Sequence, residues 1–163
     1  SSPQSDQEPL NKVKQMIGQA LKDMRNISRN LTFNNLDRDS FDAVVRAHID
    51  MLSPARPITF DIMLHPEADY RPLQTKIQLF RIIAELIENS IKHSNCDSIL
   101  VHISSASNDK LLFTYKDNGK APSPNADPGI GMNNIKSRFE FLNADIIQYS
   151  HTFENGANYS AKI

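Results

Sequence analysis

Apolar residues recur three and four apart at Leu10, Val13, Ile17, Ala20, Leu21, Met24, Ile27 and Leu31, with Ser28 on the same seam. That period predicts one long amphipathic helix ending near Phe33. An intermolecular bundle and packing against the rest of the chain would each satisfy such a seam. Asn34, Asn35 and Asp37 mark a break, after which Phe41, Val44, Val45, His48, Ile49 and Leu52 give a second helix over about 39–52, stopped by Pro54 and Pro57. The period then drops to two. Ile58, Phe60, Ile62 and Leu64 alternate with Thr59, Asp61 and Met63, a strand with one buried face. Residues 66–72 form a turn, and 73–94 read as a helix that is apolar nearly all the way round and therefore buried. Strands over 98–104 and 110–116 flank a polar turn and are expected to pair as a hairpin. The stretch 117–130, with Pro122, Pro124 and Pro128 and no apolar run, is a loop. A helix from near Gly131 to about Asn143 follows, then short strands over 145–150 and 158–163 around the Glu154-Asn155-Gly156 turn. The order α, α, β, α, β, β, loop, α, β, β predicts an α/β fold, a two-layer sandwich of a mixed five-stranded sheet with helices on one face.

At 163 residues, 39% of them hydrophobic and 23% charged, the chain holds enough apolar material for one core plus an appendage. Residues 1–9 read as a flexible lead, 10–36 as the appended helix and 37–163 as the domain. The first residue is not methionine, which fits a piece of something longer. A net charge of −1 with scattered basic residues argues against a nucleic-acid or anionic-membrane binder. Cys96 is the single cysteine, which rules out an internal disulfide, argues against a zinc cluster and leaves a small buried hydrophobe as its expected role. No apolar run approaches the roughly 18 to 20 residues that a membrane helix needs, so a soluble piece is expected.

Candidate chemistry begins in the apolar helix, where Glu85, Asn89 and His93 fall at i, i+4 and i+8 on one stripe. A carboxylate there needs a partner. A local network, such as Glu85 with Lys92 or a turn backbone, supplies one; a divalent cation held by phosphates supplies another. Asn89 offers the single neutral oxygen that magnesium accepts when phosphates and water complete its octahedron. Asp117 ends a strand and enters a turn at Gly119, where a missing side chain lets a planar ligand approach. A carboxylate at that point can accept a hydrogen bond from an exocyclic amine, which separates adenine from guanine. As a bare motif, Asp-Asn-Gly is most often only a turn. Gly129-Ile130-Gly131 opens a helix whose free amides suit a phosphate, without the spacing of a P-loop or Rossmann fingerprint.

Taken in order, these segments carry a resemblance that covers the chain from about Phe41 onward. Ile83-Ala84-Glu85-Leu86-Ile87-Glu88-Asn89-Ser90-Ile91-Lys92-His93 resembles the N-box, Asp117-Asn118-Gly119 the first glycine box, and Gly129-Ile130-Gly131-Met132-Asn133-Asn134-Ile135-Lys136-Ser137-Arg138 the second glycine box of sensor histidine kinase catalytic domains. The Gly156 turn and closing strand match a fourth block. That superfamily shares the Bergerat ATP-binding fold with gyrase, a heat-shock chaperone and mismatch-repair ATPases. The resemblance implies ATP and Mg2+ as cofactors, with Asn89 as the magnesium ligand, Lys92 and His93 near the phosphates and nucleotide, and Asp117 on the adenine amine. Gly119, Gly129, Gly131 and Met132 would line or flank a mobile lid in which nine residues separate Gly119 from Gly129. Glu85 matches the water-activating position of hydrolytic relatives, whereas a kinase must keep water from the γ-phosphate, so here it is expected to orient the metal shell.

Segment 20–31 is similar to the second helix of the dimerisation and phosphotransfer hairpin of these kinases. The helix with the phosphoacceptor histidine has no counterpart in this sequence, and His48, His65, His93, His102 and His151 lie outside such a context: a core-edge residue, a turn, the N-box, a strand surface and a turn. Self-phosphorylation is therefore not expected. The implied partners are that histidine helix of a parent kinase, a response regulator and a second copy in a homodimer, without nucleic acid; the implied setting is the cytoplasmic part of a membrane-anchored bacterial sensor. Two positions depart from the family pattern: Ala121 where a second Gly is frequent, and Ala157 where Thr commonly follows the final Gly. Another superfamily member, such as a serine kinase of an anti-sigma system or a small ATPase, and a non-catalytic docking module are the alternative readings.

Overall fold

A computed structural model describes residues 13–14, 16–17, 35–52, 54, 56–120, 130–152 and 156–163. The chain divides into two compact units, Ser1–Arg38 and Asp39–Ile163. In the first, residues 13–14 and 16–17 are helical, as the seam predicts; the expected flexible lead and the rest of that long helix lie outside the described residues.

The second unit begins with α1, Phe41–Asp50, whose first turn is closed by Ser40 Oγ accepting the Ala43 amide at 3.2 Å. Strand β1 (Thr59–Leu64) and a 3₁₀ turn (Pro66–Tyr70) lead to α2 (Leu73–Asn89), which continues into a π-helical turn, Ser90–Ser94. Strands β2 (Ser98–Ser105) and β3 (Leu111–Asp117), helix α3 (Ile130–Phe141), and strands β4 (Asp145–Thr152) and β5 (Gly156–Lys162) complete it. The sheet has five strands in the order β1-β2-β3-β5-β4. β1 runs parallel to β2 and the other pairs are antiparallel, so the sheet is mixed and β2 and β3 form the predicted hairpin.

Register explains where the core lies. Ile99, Val101 and Ile103 of β2 pair with Asp117, Tyr115 and Phe113 of β3, and Tyr115 and Phe113 pair in turn with Tyr159 and Ala161 of β5. All of these are buried, and the period of two puts them on a single face. The helices cover that face: Phe113 packs on Phe139 of α3 with ring centroids 5.8 Å apart, and the Tyr115 hydroxyl oxygen lies 3.1 Å from the Leu86 carbonyl oxygen of α2. The same alternation that buries Phe113 and Tyr115 drives the next core-facing position, Asp117, into the interior at the end of β3.

Two expectations change. Helix α2 is not buried all round; Leu79, Phe80, Ile82, Ile83, Leu86 and Ile87 are buried along one face, while its first turn is largely exposed, because α2 has only the sheet and the neighbouring helices on one side. His151 belongs to β4, paired with Ala157, and not to a turn, because the ladder of β4 and β5 runs as far as Thr152 and Gly156. His48 does sit at the core edge, with its ring edge-on to Phe80 at 5.3 Å. His65 caps the 3₁₀ turn through the Glu67 amide, His102 lies on β2 3.2 Å from Asp61, and Cys96 is a buried free thiol.

Candidate functional site

Buried positions along α2 follow helical spacing from Leu79 through Ile83 to Leu86 and Ile87, and the next two on that seam are Ser90 and Ser94. Here the helix widens. The π turn ends at Asn95 in the left-handed region (φ 54), a conformation Asn tolerates. Within it, the Ser90 carbonyl accepts from Ser94 Oγ at 2.9 Å and from the Cys96 thiol at 3.8 Å. Short π segments inside α-helices concentrate at functional sites.

The end of β3 packs directly on this turn. Lys120 donates its amide to the Ser94 carbonyl at 2.5 Å, and a Cβ on Gly119 would overlap the Ser94 carbonyl and hydroxyl oxygens, so only glycine fits there. Asn118 fastens the other side: its Oδ1 accepts the amides of Asp97 and Ser98 at 3.1 and 3.0 Å, and its Nδ2 donates to the Asp97 carboxylate at 2.6 Å. The Asp-Asn-Gly turn is thus held on both flanks, with the buried Asp117 side chain between them.

Asp117 is 4% exposed. Its Oδ1 accepts the Gly119 amide at 2.8 Å and the Ala157 amide at 3.3 Å, and its Oδ2 accepts the Ser90 hydroxyl at 2.5 Å. A carboxylate has about four acceptor directions, and contacts among the described residues take three of them. Ser90 Oγ also lies 2.7 Å from the Tyr115 hydroxyl. Burial, opposed by that Ser90 contact and reinforced by the negative charge of Asp117, pushes the Tyr115 phenol well above its ordinary value. A folded-state value raised above the unfolded one stabilises the fold below the unfolded pKa, about 10, and that stability is lost as pH rises further. Thermal melts are therefore expected to lose stability above about pH 10, and Tyr115→Phe to make that alkaline limb shallower.

Residues 74–156 match the family described as histidine kinase-, DNA gyrase B-, and HSP90-like ATPase. This chain belongs to that ATPase family. Its fold is shared with solved histidine kinases. The histidine kinase domain of the Erythrobacter litoralis EL346 blue-light activated histidine kinase superposes with a TM-score of 0.58 at 17% identity, over 76% of this chain and 58% of that one. The longer form of that protein gives 0.67 at 16% identity, over 90% and 49%. The Acinetobacter baumannii histidine kinase AdeS gives 0.59 at 18% identity, over 93% and 82%. The chain thus spans about half the length of the first two. No curated protein matches it in sequence.

Family membership implies ATP binding. In this ATPase domain, Glu85 and Asn89 are half-buried one turn apart on α2, Asn89 being its last residue. Lys92 is not paired with Glu85: its Nζ donates to Glu88 at 2.7 Å on an adjacent stripe, and His93 is exposed within the π turn. Gly131 lies in the first turn of α3, where backbone amides have no intrahelical acceptor, and Met132 follows it. Gly129 and Ala121 lie outside the described residues. Among the described residues no cluster of three or more His, Cys, Asp or Glu could hold a metal.

A cavity of about 360 Å³ is lined by Ser98, Leu100, Lys116, Asp117, Asn118, Ala157 and Asn158. Leu100, Lys116 and Asn158 occupy one row of the sheet face opposite the helices, so this hollow backs onto Asp117 and does not contain Asn89. No helix of the described residues is long and apolar enough to cross a membrane.

Sequence reasoning missed Ser90, Tyr115 and the Ala157 amide. Ser90 had a readable signal: a hydroxyl at the next core-facing position of an apolar stripe must find a buried partner.

Proposed function

We propose that this chain is the ATP-binding catalytic part of a sensor histidine kinase, which transfers the γ-phosphate of ATP to a histidine on a dimerisation helix of its parent protein. The observation that carries this is Asp117: a carboxylate buried at the end of β3, with three of its acceptor directions taken and, among the described residues, one left open. An exocyclic adenine amine supplies the missing donor. In this reading Asn89, a turn of helix beyond Glu85, would hold a magnesium ion that comes with the phosphates, and Glu85 would orient the water around it. Lys92 and His93 lie along the phosphates, while Gly119, Gly129, Gly131 and Met132 border the lid. Magnesium when bound supplies charge neutralisation on the transferred group; the protein supplies position and a dry site. Residues 10–36 form part of the hairpin that pairs two copies, and 37–163 form the catalytic domain, which passes its phosphoryl group by way of the histidine to a response regulator at the cytoplasmic side of a bacterial membrane.

Incubation of the chain with magnesium-ATP and a supplied helix bearing a phosphoacceptor histidine tests this. Label on the helix histidine is expected, with none on the chain alone. Asn89→Ala is expected to weaken ATP binding in magnesium roughly tenfold, to the level seen without magnesium, as loss of one metal-ligand contact implies. Glu85 favours a second reading, a small ATPase. Steady phosphate release without the helix, abolished by Glu85→Gln, would select it.

A further inference from the structure

Three contacts run through two hydroxyl groups beneath Asp117. Ser90 Oγ lies 2.5 Å from Asp117 Oδ2 and 2.7 Å from the Tyr115 oxygen, which is in turn 3.1 Å from the Leu86 carbonyl. Two protons serve them. A carboxylate only accepts, so the Ser90 proton belongs to Asp117. The Leu86 carbonyl already receives the Ser90 amide, and the shorter of the two Tyr115 contacts is to Ser90, so the phenol proton goes to Ser90 Oγ. Burial keeps that phenol neutral and able to donate. The chain Tyr115 to Ser90 to Asp117 therefore points one way, toward the carboxylate. Ser90 is 3% exposed and Tyr115 is fully buried, so water does not compete for either group.

We infer that Ser90, set by Tyr115, is a positioning residue that fixes the Asp117 carboxylate with a single acceptor direction facing the ligand, and thereby sets preference for 6-amino over 6-oxo purine nucleotides. The inference rests on the nucleotide reading above. Two amides hold Oδ1, and Ser90 takes one direction of Oδ2. Without Ser90 the carboxylate has two open directions and one fewer anchor, so it can turn from the base and accept water. Ser90 directly follows Asn89, so the π turn that places this hydroxyl also places the amide proposed for the cation. A simple packing role for Ser90 predicts a loss of stability and equal weakening of all nucleotides.

Calorimetric titrations of magnesium-ATP and magnesium-ITP into the unaltered chain, Ser90→Ala, Ser90→Thr and Tyr115→Phe test this, with each variant first checked by circular dichroism. The ratio of ATP to ITP affinity is expected to fall roughly tenfold in Ser90→Ala, the effect of one hydrogen bond to a charged group, with ITP affinity unchanged. Ser90→Thr, which keeps the hydroxyl, is expected to recover most of the ratio, and Tyr115→Phe to fall between. An unchanged ratio in folded Ser90→Ala overturns the inference. If Ser90→Ala does not fold, Tyr115→Phe decides, and an unchanged ratio there overturns it equally. Failure of the unaltered chain to bind ATP would be a separate result: it removes the nucleotide reading and the positioning role together.

Discussion

Asp117→Asn is expected to weaken magnesium-ATP binding by roughly 100-fold while leaving the chain folded. The amide occupies the same volume, and its carbonyl oxygen can still accept the Gly119 and Ala157 amides. Its nitrogen, however, replaces Oδ2. A donor then faces the Ser90 hydroxyl, which must turn around, and a second donor faces the exocyclic amine of the base. Two donors opposed in a buried site leave both unsatisfied, and that penalty exceeds the simple loss of one hydrogen bond. Isothermal titration of ATP into the variant checks it, with a melting curve as the control for folding. Undiminished binding in a folded variant would remove Asp117 from the site.

Gly156→Val is expected to cost about 3 kcal/mol or more of stability and to abolish nucleotide binding with it. Gly156 opens β5 with φ +66, where a side chain is strained, and a Cβ there would overlap the Asp117 carbonyl and its Oδ1. The left-handed conformation accounts for about 1 to 2 kcal/mol and the overlap for a similar amount. Neither the β3 ladder nor the carboxylate can give way cheaply, because Asp117 is held by Gly119, Ala157 and Ser90 at once. Chemical denaturation of the purified variant measures the first effect and titration with ATP the second. A variant as stable as the unaltered chain would show that β5 can shift away from Asp117.

Much of this architecture was legible because each element carried one clear period. The two-residue alternation of Phe60, Ile62 and Leu64 specified β1, and Pro54 and Pro57 ended the helix before it. The switch to helical spacing after Pro72 specified α2. The motif residues Asn89, Asp117 and Gly119 were found because their order and spacing are unusual, and the structure places Asp117 and Gly119 in one turn against the end of the helix that bears Asn89. What escaped has a common cause. The π turn adds one residue to a helical circuit, a change of backbone winding that leaves no mark on the apolar pattern. Ser90 and Ser94 continue the buried seam as small hydroxyls, one face away from the stripe of Glu85, Asn89 and His93. Gly156 was recognised as a turn, but its approach to Asp117 joins residues 39 apart in sequence, which no local period encodes.

The Ala157 contact has a consequence for heredity. At Ala157 this chain meets the carboxylate with a main-chain amide at 3.3 Å. An amide belongs to the peptide bond and is carried unchanged through almost every codon that position could acquire. Proline alone would delete it. The second anchor of Asp117 therefore survives any residue small enough for that buried position, while the first and third depend on a glycine that must stay small and on a hydroxyl at position 90.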